Sequence, residues 1–227
     1  YVEQILKSRS DNKANQKANF SALRDYVTYG EYNPTRNIPS EQQLKSMNPQ
    51  ELLTLLKNLK NYKLTVLYYG PSSLKAVDQL VSKTILSPKK FAEVPAIKRY
   101  TEQITPQNEV IIAPYDAKNI YMVQLHNENK VWSADRAPII ALFNEYFGGG
   151  MNAIVFQELR EARGLAYSAS AVYASPYRLG GNESFYTYII TQNDKMMDCV
   201  TEFNKLLNNV PVRQSGFDLA KQSLMKS

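Results

Sequence analysis

Few residues of this chain could bind a metal or act as a catalytic base. Besides carboxylates, the 227 residues include one histidine, His126, and one cysteine, Cys199. A zinc site takes three or four ligands, mainly from His, Cys, Asp and Glu, so His126 with Glu128 two residues later does not make a complete site. A serine or cysteine hydrolase needs a histidine beside its nucleophile, and His126 has no such signature around it. The sequence therefore predicts no metal site, and a histidine of the core or surface is the alternative for His126.

Two further features have both a structural and a functional interpretation. Cys199 lies among apolar residues, which favours a small core residue over a reactive thiol. The glycine run at 148–150 precedes a predicted helix and could bind an anion at the helix N-terminus, but no phosphate-binding glycine motif surrounds it. A hinge or a tight entry into the helix is therefore the favoured interpretation of the glycines.

The most informative segment is residues 143–167, FNEYFGGGMNAIVFQELREARGLAY. Its glycine run, the helical sequence FQELRE at 156–161 and the sequence GLAY at 164–167 together resemble the peptidase family of pitrilysin, insulin-degrading enzyme and mitochondrial processing peptidase. The order and spacing of the later elements extend this resemblance over most of residues 109–227. Residues 29–34 and 68–71 are similar to the end of the preceding module in bacterial members.

The resemblance implies a zinc endopeptidase in which this chain is not the catalytic part. Members of the family are clamshells of similar α+β modules. An early module binds zinc through an inverted H-x-x-E-H motif, and a later module closes over the peptide. This chain has no H-x-x-E-H. It is therefore expected to be the zinc-free, substrate-gripping half, inactive alone and without a cofactor of its own.

The same resemblance implies the partners and the location. The expected partners are a peptide substrate and the zinc-bearing half, which would belong to the same protein or to a partner subunit. Zinc is expected in that missing half of the parent protein. The similarity to bacterial members implies the cell envelope or the periplasm as the location.

The resemblance also assigns a role to two residues, Arg160 and Tyr167. The later half of family members supplies an arginine and a tyrosine, seven residues apart, that contact the substrate near the scissile bond, and these two residues match that pair. A guanidinium can donate to peptide carbonyls, and a phenol can donate to an oxygen that becomes negative during attack. The structural alternative is an arginine favoured by the helix dipole and a tyrosine packed in a sheet.

The elements that must position this pair are predicted from periodicity and turn signals. The opening helix is predicted to end near Tyr29, and N-terminal capping residues start further helices at Ser40 and Asn48 and near Ser73. Strands are predicted at 62–69, 109–114, 119–127, 165–175 and 182–191. Later helices are predicted at 136–147, 151–162 and 194–209. Gly164 is the predicted C-cap after the second of these, so its turn would bring Arg160 and Tyr167 to one rim.

These elements predict an α+β fold, an antiparallel sheet with helices packed on one face, as in the metallohydrolase-like modules of the family. Residues 1–84 are expected to be the tail of one module, 85–108 a proline-containing linker, and 109–227 most of the following inactive module. The chain starts inside a predicted helix without an initiator methionine, so it is expected to be a piece of a longer protein. Charged residues among the first ten exclude a secretory signal peptide there.

Composition leaves two other functions open. Hydrophobic residues make up 44% and charged residues 21%, as in soluble globular proteins. No run approaches the roughly 18–20 apolar residues of a membrane span. The net charge of +6 comes from scattered lysines and arginines, which favours a solvated basic surface without nucleic acid as a partner. The alternatives are a purely structural or partner subunit without catalysis and, more distantly, a basic nucleic-acid-binding module.

Overall fold

The computed structural model describes residues 1–85, 90–127 and 129–226. The chain divides into two compact units: unit 1 comprises Tyr1–Lys7 and Ile38–Arg99, and unit 2 comprises Ser8–Asn37 and Tyr100–Ser227. The predicted boundaries of tail, linker and following module stay a prediction, and residues 86–89 of the linker lie outside the described residues. Across the described ranges, no helix is both long enough and apolar enough to cross a membrane.

The chain opens with two helices, α1 (Val2–Lys13) and α2 (Gln16–Tyr29), where the sequence predicted one. Asn15 separates them, and its side-chain oxygen accepts a hydrogen bond of 2.9 Å from the backbone N–H of Ala18. An asparagine that caps the following residues in this way starts a new helix, so the predicted single helix is wrong at this point. The boundary between the units lies within α1, and α2 belongs to unit 2.

Besides the first half of α1, short capped helices make up the regular structure of the described part of unit 1. They are α3 (Glu41–Ser46), α4 (Pro49–Asn58), with a 3₁₀ turn at Leu59–Asn61, and α5 (Leu74–Thr84). The predicted capping box is confirmed, because Gln43 N–H donates to Ser40 Oγ over 3.1 Å and Ser40 N–H donates to Gln43 Oε1 over 2.7 Å. The predicted cap at Asn48 is also confirmed, since its side chain accepts a 2.9 Å bond from Gln50 N–H.

Residues 62–69 of unit 1, predicted as a strand, have no regular structure. Leu67 in this segment is 92% exposed. The β propensity of a sequence describes how well it fits a paired, half-buried surface, and no described strand pairs with this segment. The predicted strand is therefore wrong: composition favoured it, but a partner strand is missing among the described residues.

The described residues of unit 2 contain one antiparallel sheet of three strands. The strands are β1 (Asn119–His126), β2 (Ser168–Ala174) and β3 (Ser184–Gln192), in the order β1-β3-β2. The predicted pairing of the last two strands is confirmed, with Ala169 opposite Ile189. Residues 109–114, the other predicted strand, have no regular structure, and β1 pairs with β3 through Met122 and Ile189 instead.

The later helices of unit 2 pack together, and their buried residues lie on one face of this sheet. They are α6 (Ala137–Phe143), continued by a π-helical turn at Asn144–Gly148, α7 (Ile154–Phe156), continued by a π-helical turn at Gln157–Ala162, α8 (Met196–Asn208) and α9 (Gln214–Lys226), with 3₁₀ turns at Ala134–Arg136 and Asn193–Lys195. Val155, Leu159 and Phe203 of these helices form the core cluster with Ala169 and Ile189 of the sheet. The α+β fold with an antiparallel sheet is confirmed.

On the opposite face, α2 contacts the sheet. The ring of Phe20 lies 5.5 Å from the ring of Tyr121 and 6.2 Å from that of Tyr188, measured between ring centres. Such aromatic contacts add packing on the side of the sheet that faces away from the main core.

The π-helical turn after α6 closes the outer edge of β2. The Asn144 side chain donates to the carbonyl of Tyr173 over 2.9 Å and accepts from its N–H over 2.7 Å, as a neighbouring strand would. Gly148 is buried, and a side-chain carbon added there would overlap the backbone of Ala171. The glycine is therefore explained by close approach to the sheet, whereas the favoured hinge or tight entry into the following helix stays a prediction.

Candidate functional site

Arg160 lies in the π-helical turn that follows α7, next to the buried Leu159. The carbonyl of Leu159 accepts bonds from Leu165 N–H at 2.8 Å and Ala166 N–H at 3.2 Å, so the chain reverses directly after the helix. Gly164 has φ +57°, and its N–H donates to the carbonyl of Arg160 over 3.0 Å. The predicted glycine C-cap is confirmed, since this left-handed conformation favours glycine.

Tyr167 directly precedes β2 and is held by the sheet. Its N–H donates to the carbonyl of Ile190 over 2.8 Å. Side chains alternate at this point: Ala166 is buried in the core, whereas the Tyr167 side chain is 75% exposed. The strand therefore fixes the backbone of Tyr167 and leaves its phenol accessible.

Arg160 and Tyr167 are neighbours on an exposed part of unit 2. The guanidinium carbon of Arg160 lies 6.0 Å from the centre of the Tyr167 ring and 4.9 Å from that of Phe156. The closest approach to a carboxylate is 3.8 Å, from Nε to Glu161 Oε1, which is too long for a hydrogen bond. Within the described residues, the Arg160 side chain donates no hydrogen bond to the protein, so its N–H groups can reach a ligand. Whether the pair contacts substrate stays a prediction.

The two arginines near Arg160 differ from it because they form ion pairs with glutamates. Arg163 and Arg213 both bind the carboxylate of Glu158, and Nε of Arg163 lies 3.4 Å from Glu202 of α8. The hydrogen bond from Arg163 and then that from Arg213 hold the pKa of Glu158 below its usual value. These two arginines join the π-helical turn to later parts of the chain. Arg160 is the member of the three whose side chain donates no hydrogen bond among the described residues.

The other predicted residues lie apart from this pair. His126 is exposed at the end of β1, with Nδ1 3.3 Å from Thr105 Oγ1, and Glu128 lies outside the described residues. In the described ranges, no group of three or more His, Cys, Asp or Glu residues could hold a metal ion. Cys199 is fully buried, as predicted, and burial raises the pKa of its thiol.

Phe156 is the residue of the site that the sequence interpretation missed. It precedes Arg160 by four residues on the same helical segment, the spacing at which side chains on a helix meet. That spacing could have indicated the contact. Arg160 itself lies in a π-helical turn, which no sequence pattern predicted.

A family model describes most of this chain. Residues 46–224 match the model of the peptidase M16 inactive domain. The chain belongs to the M16 inactive-domain family. Membership makes it a non-catalytic module of the M16 peptidases, and it confirms the family resemblance found in the sequence.

Two solved structures show the fold of the M16 inactive domain in this chain. An M16 inactive domain from Pseudomonas fluorescens has 17% identity and a TM-score of 0.64, and the alignment covers 100% of this chain and 55% of that one. A protease from Helicobacter pylori has 14% identity and a TM-score of 0.59, and the alignment covers 89% of this chain and 50% of that one. The present chain thus spans about half the length of the chains in these two structures. No curated protein matches it.

Proposed function

We propose that this chain is the substrate-gripping region of a pitrilysin-type zinc metalloendopeptidase, with Arg160 and Tyr167 holding the backbone of a bound peptide. The observation that carries the proposal is that an exposed phenol and a guanidinium lie side by side in a non-catalytic M16 module, with 6.0 Å between the guanidinium carbon and the ring centre. The guanidinium donates no hydrogen bond to any residue that the structure describes. A guanidinium offers five N–H donors, and a peptide offers a row of carbonyl acceptors.

The chemistry divides between this chain and a zinc-bearing half. Zinc and the attacking water belong to that half, in the same protein or in a partner subunit, and the bacterial cell envelope or periplasm is the proposed location. In this chain, Arg160 binds peptide carbonyls, and the hydroxyl of Tyr167 donates to the oxygen that gains charge during attack. Both groups act by binding and orientation, so this chain alone hydrolyses no peptide and holds no zinc.

The binding part of the proposal is testable on the chain itself. A capped, unstructured peptide rich in Ala and Ser is titrated into isotope-labelled protein, and NMR shifts are followed at the Arg160 side chain and at Tyr167. We expect saturable shifts at both residues, weaker binding in Arg160→Ala and Tyr167→Phe, and unchanged melting temperatures. Tyr177→Phe and Arg178→Ala are matched controls, because both residues are exposed in the turn between β2 and β3.

Two outcomes contradict the proposal. Peptide-induced shifts confined to other surfaces would place binding elsewhere. Lower melting temperatures with unchanged peptide affinity in both site variants would assign the pair a structural role, as in a family subunit without catalysis.

The catalytic part requires the chain assembled with its zinc-bearing half. There, Tyr167→Phe keeps the ring and removes the donor, so the rate of peptide hydrolysis should fall by about 10²–10³ while the Tm stays constant. Arg160→Ala should also raise KM, because it removes donors to the bound peptide. An unchanged rate in Tyr167→Phe would rule out a transition-state contact by its hydroxyl.

A further inference from the structure

We infer that Phe156 is a positioning residue for Arg160. The inference rests on the proposed function, because it concerns how Arg160 is prepared for the peptide. The ring centre of Phe156 lies 4.9 Å from the guanidinium carbon, closer than the 6.0 Å to Tyr167. Both distances are within about 6 Å, the range in which a cation is attracted to an aromatic face.

An aromatic partner orients an arginine without using its N–H groups. Arg163 and Arg213 show the other arrangement, in which guanidinium N–H groups bind Glu158. A carboxylate at Arg160 would occupy the donors that a peptide carbonyl needs and would neutralise the charge. The electrons of a ring attract the cation as a whole, so all five N–H groups stay available as donors.

The position of Phe156 restricts the movement of its ring beside Arg160. It ends the α-helical part of α7, next to the fully buried Val155, and its own side chain is partly buried. It precedes Arg160 by four positions, so the contact lies within one helical segment and is present before a peptide binds. Arg160 then loses less rotational freedom when a peptide arrives, and this lowers the entropic cost of binding.

The first measurement is on the Arg160 side chain itself. The ring current of a nearby aromatic shifts the Nε–Hε signal of an arginine, so this signal reports the contact without any peptide. We expect the Arg160 signal to move toward its unstructured position in Phe156→Leu and to stay shifted away from that position in Phe156→Trp, which retains an aromatic ring. Phe156→Met, which retains a large apolar side chain without a ring, serves as a second variant if the leucine variant folds poorly.

The second measurement is the affinity for the Ala- and Ser-rich peptide. Loss of a solvent-exposed cation–π contact should weaken binding by about two- to five-fold in Phe156→Leu, and Phe156→Trp should restore it. Phe217→Leu is the matched control, because it makes the same change in α9 of the same unit. Backbone NMR shifts away from the site confirm that each variant is folded.

The outcomes separate this inference from the proposed function. If the Arg160 Nε–Hε signal does not move when the Phe156 ring is removed, the positioning role is overturned, regardless of the peptide affinity. Weaker peptide binding in Phe156→Leu with an unmoved Arg160 signal also overturns it, because Phe156 would then contact the peptide itself. If the unaltered chain binds no peptide while the signal still depends on Phe156, the proposed function fails and the contact stands.

Discussion

The two units differ in how much apolar surface they bury. Unit 2 has a continuous core between α7, α8 and the sheet, and Phe203 at its centre is 0% exposed. In the described part of unit 1, Leu44 is the one buried hydrophobic residue, and Leu55 and Leu56 of α4 are each 64% exposed. Both units have capped, amphipathic helices, so capping and periodicity indicate where a helix forms but do not provide the surface that buries it.

The two units also differ in net charge. Unit 1 contains eleven basic and five acidic residues, a net charge of +6, whereas unit 2 contains sixteen of each. The excess positive charge of the whole chain therefore belongs to unit 1. In unit 2, Glu158 and Glu202 are instead part of an ion-pair network with Arg163. Binding of nucleic acid would require the basic residues of unit 1 and not the Arg160 site.

The largest expected effect comes from truncating apolar residues in each unit. Phe203→Ala should lower the free energy of unfolding by about 3–5 kcal/mol, since it leaves a cavity in the core of unit 2. Leu55→Ala should change it by within about 0.5 kcal/mol, because most of this side chain is already exposed. Urea unfolding followed by circular dichroism measures both values. A large loss in Leu55→Ala would show that α4 buries its apolar face in solution.

A smaller effect is expected from the glycines that connect α6 and α7. Gly148→Ala should lower the free energy of unfolding by about 1–3 kcal/mol, because the added carbon overlaps the backbone of Ala171. Gly150→Ala is the control, since the space around its added carbon is open within 4 Å. Thermal unfolding compares the two variants. Equal stabilities would mean that the turn moves away from β2 at little cost.

The smallest effect concerns the pH dependence of unit 2. Arginine hydrogen bonds lower the pKa of Glu158, so its stabilising contribution is present above the unfolded value of about 4.3 and is lost as pH falls through the lower folded pKa. Glu158→Gln should therefore lower the free energy of unfolding near neutral pH by less than about 1 kcal/mol, and this difference should shrink in acid.

Chemical denaturation at several pH values measures the Glu158 effect. Glu109→Gln provides the control, because Glu109 is an exposed carboxylate of the same unit. A difference that grows as the pH falls would have the wrong sign for a carboxylate with a depressed pKa and would contradict the role given to the arginine pairs.

The sequence by itself determined the local features of this protein. The capping box at Ser40 and Gln43 and the glycine turn at Gly164 were predictable because they depend on hydrogen bonds between residues three or four apart. The pairing of β2 with β3 was predictable because both strands alternate and a short turn joins them. The family could also be recognised from the sequence, since the resemblance rests on residue types at fixed spacing in residues 143–167.

Only the tertiary structure decided which predicted strands pair and what each arginine does. Residues 109–114 and 119–126 both have strand-like composition, yet only the second lies beside β3, because pairing depends on a distant partner. Arg160 and Arg163 are three residues apart. Arg163 is bound by Glu158 and by Glu202 of α8, whereas Arg160 faces the rings of Phe156 and Tyr167. That difference depends on contacts between elements distant in sequence, which residue type and spacing do not specify.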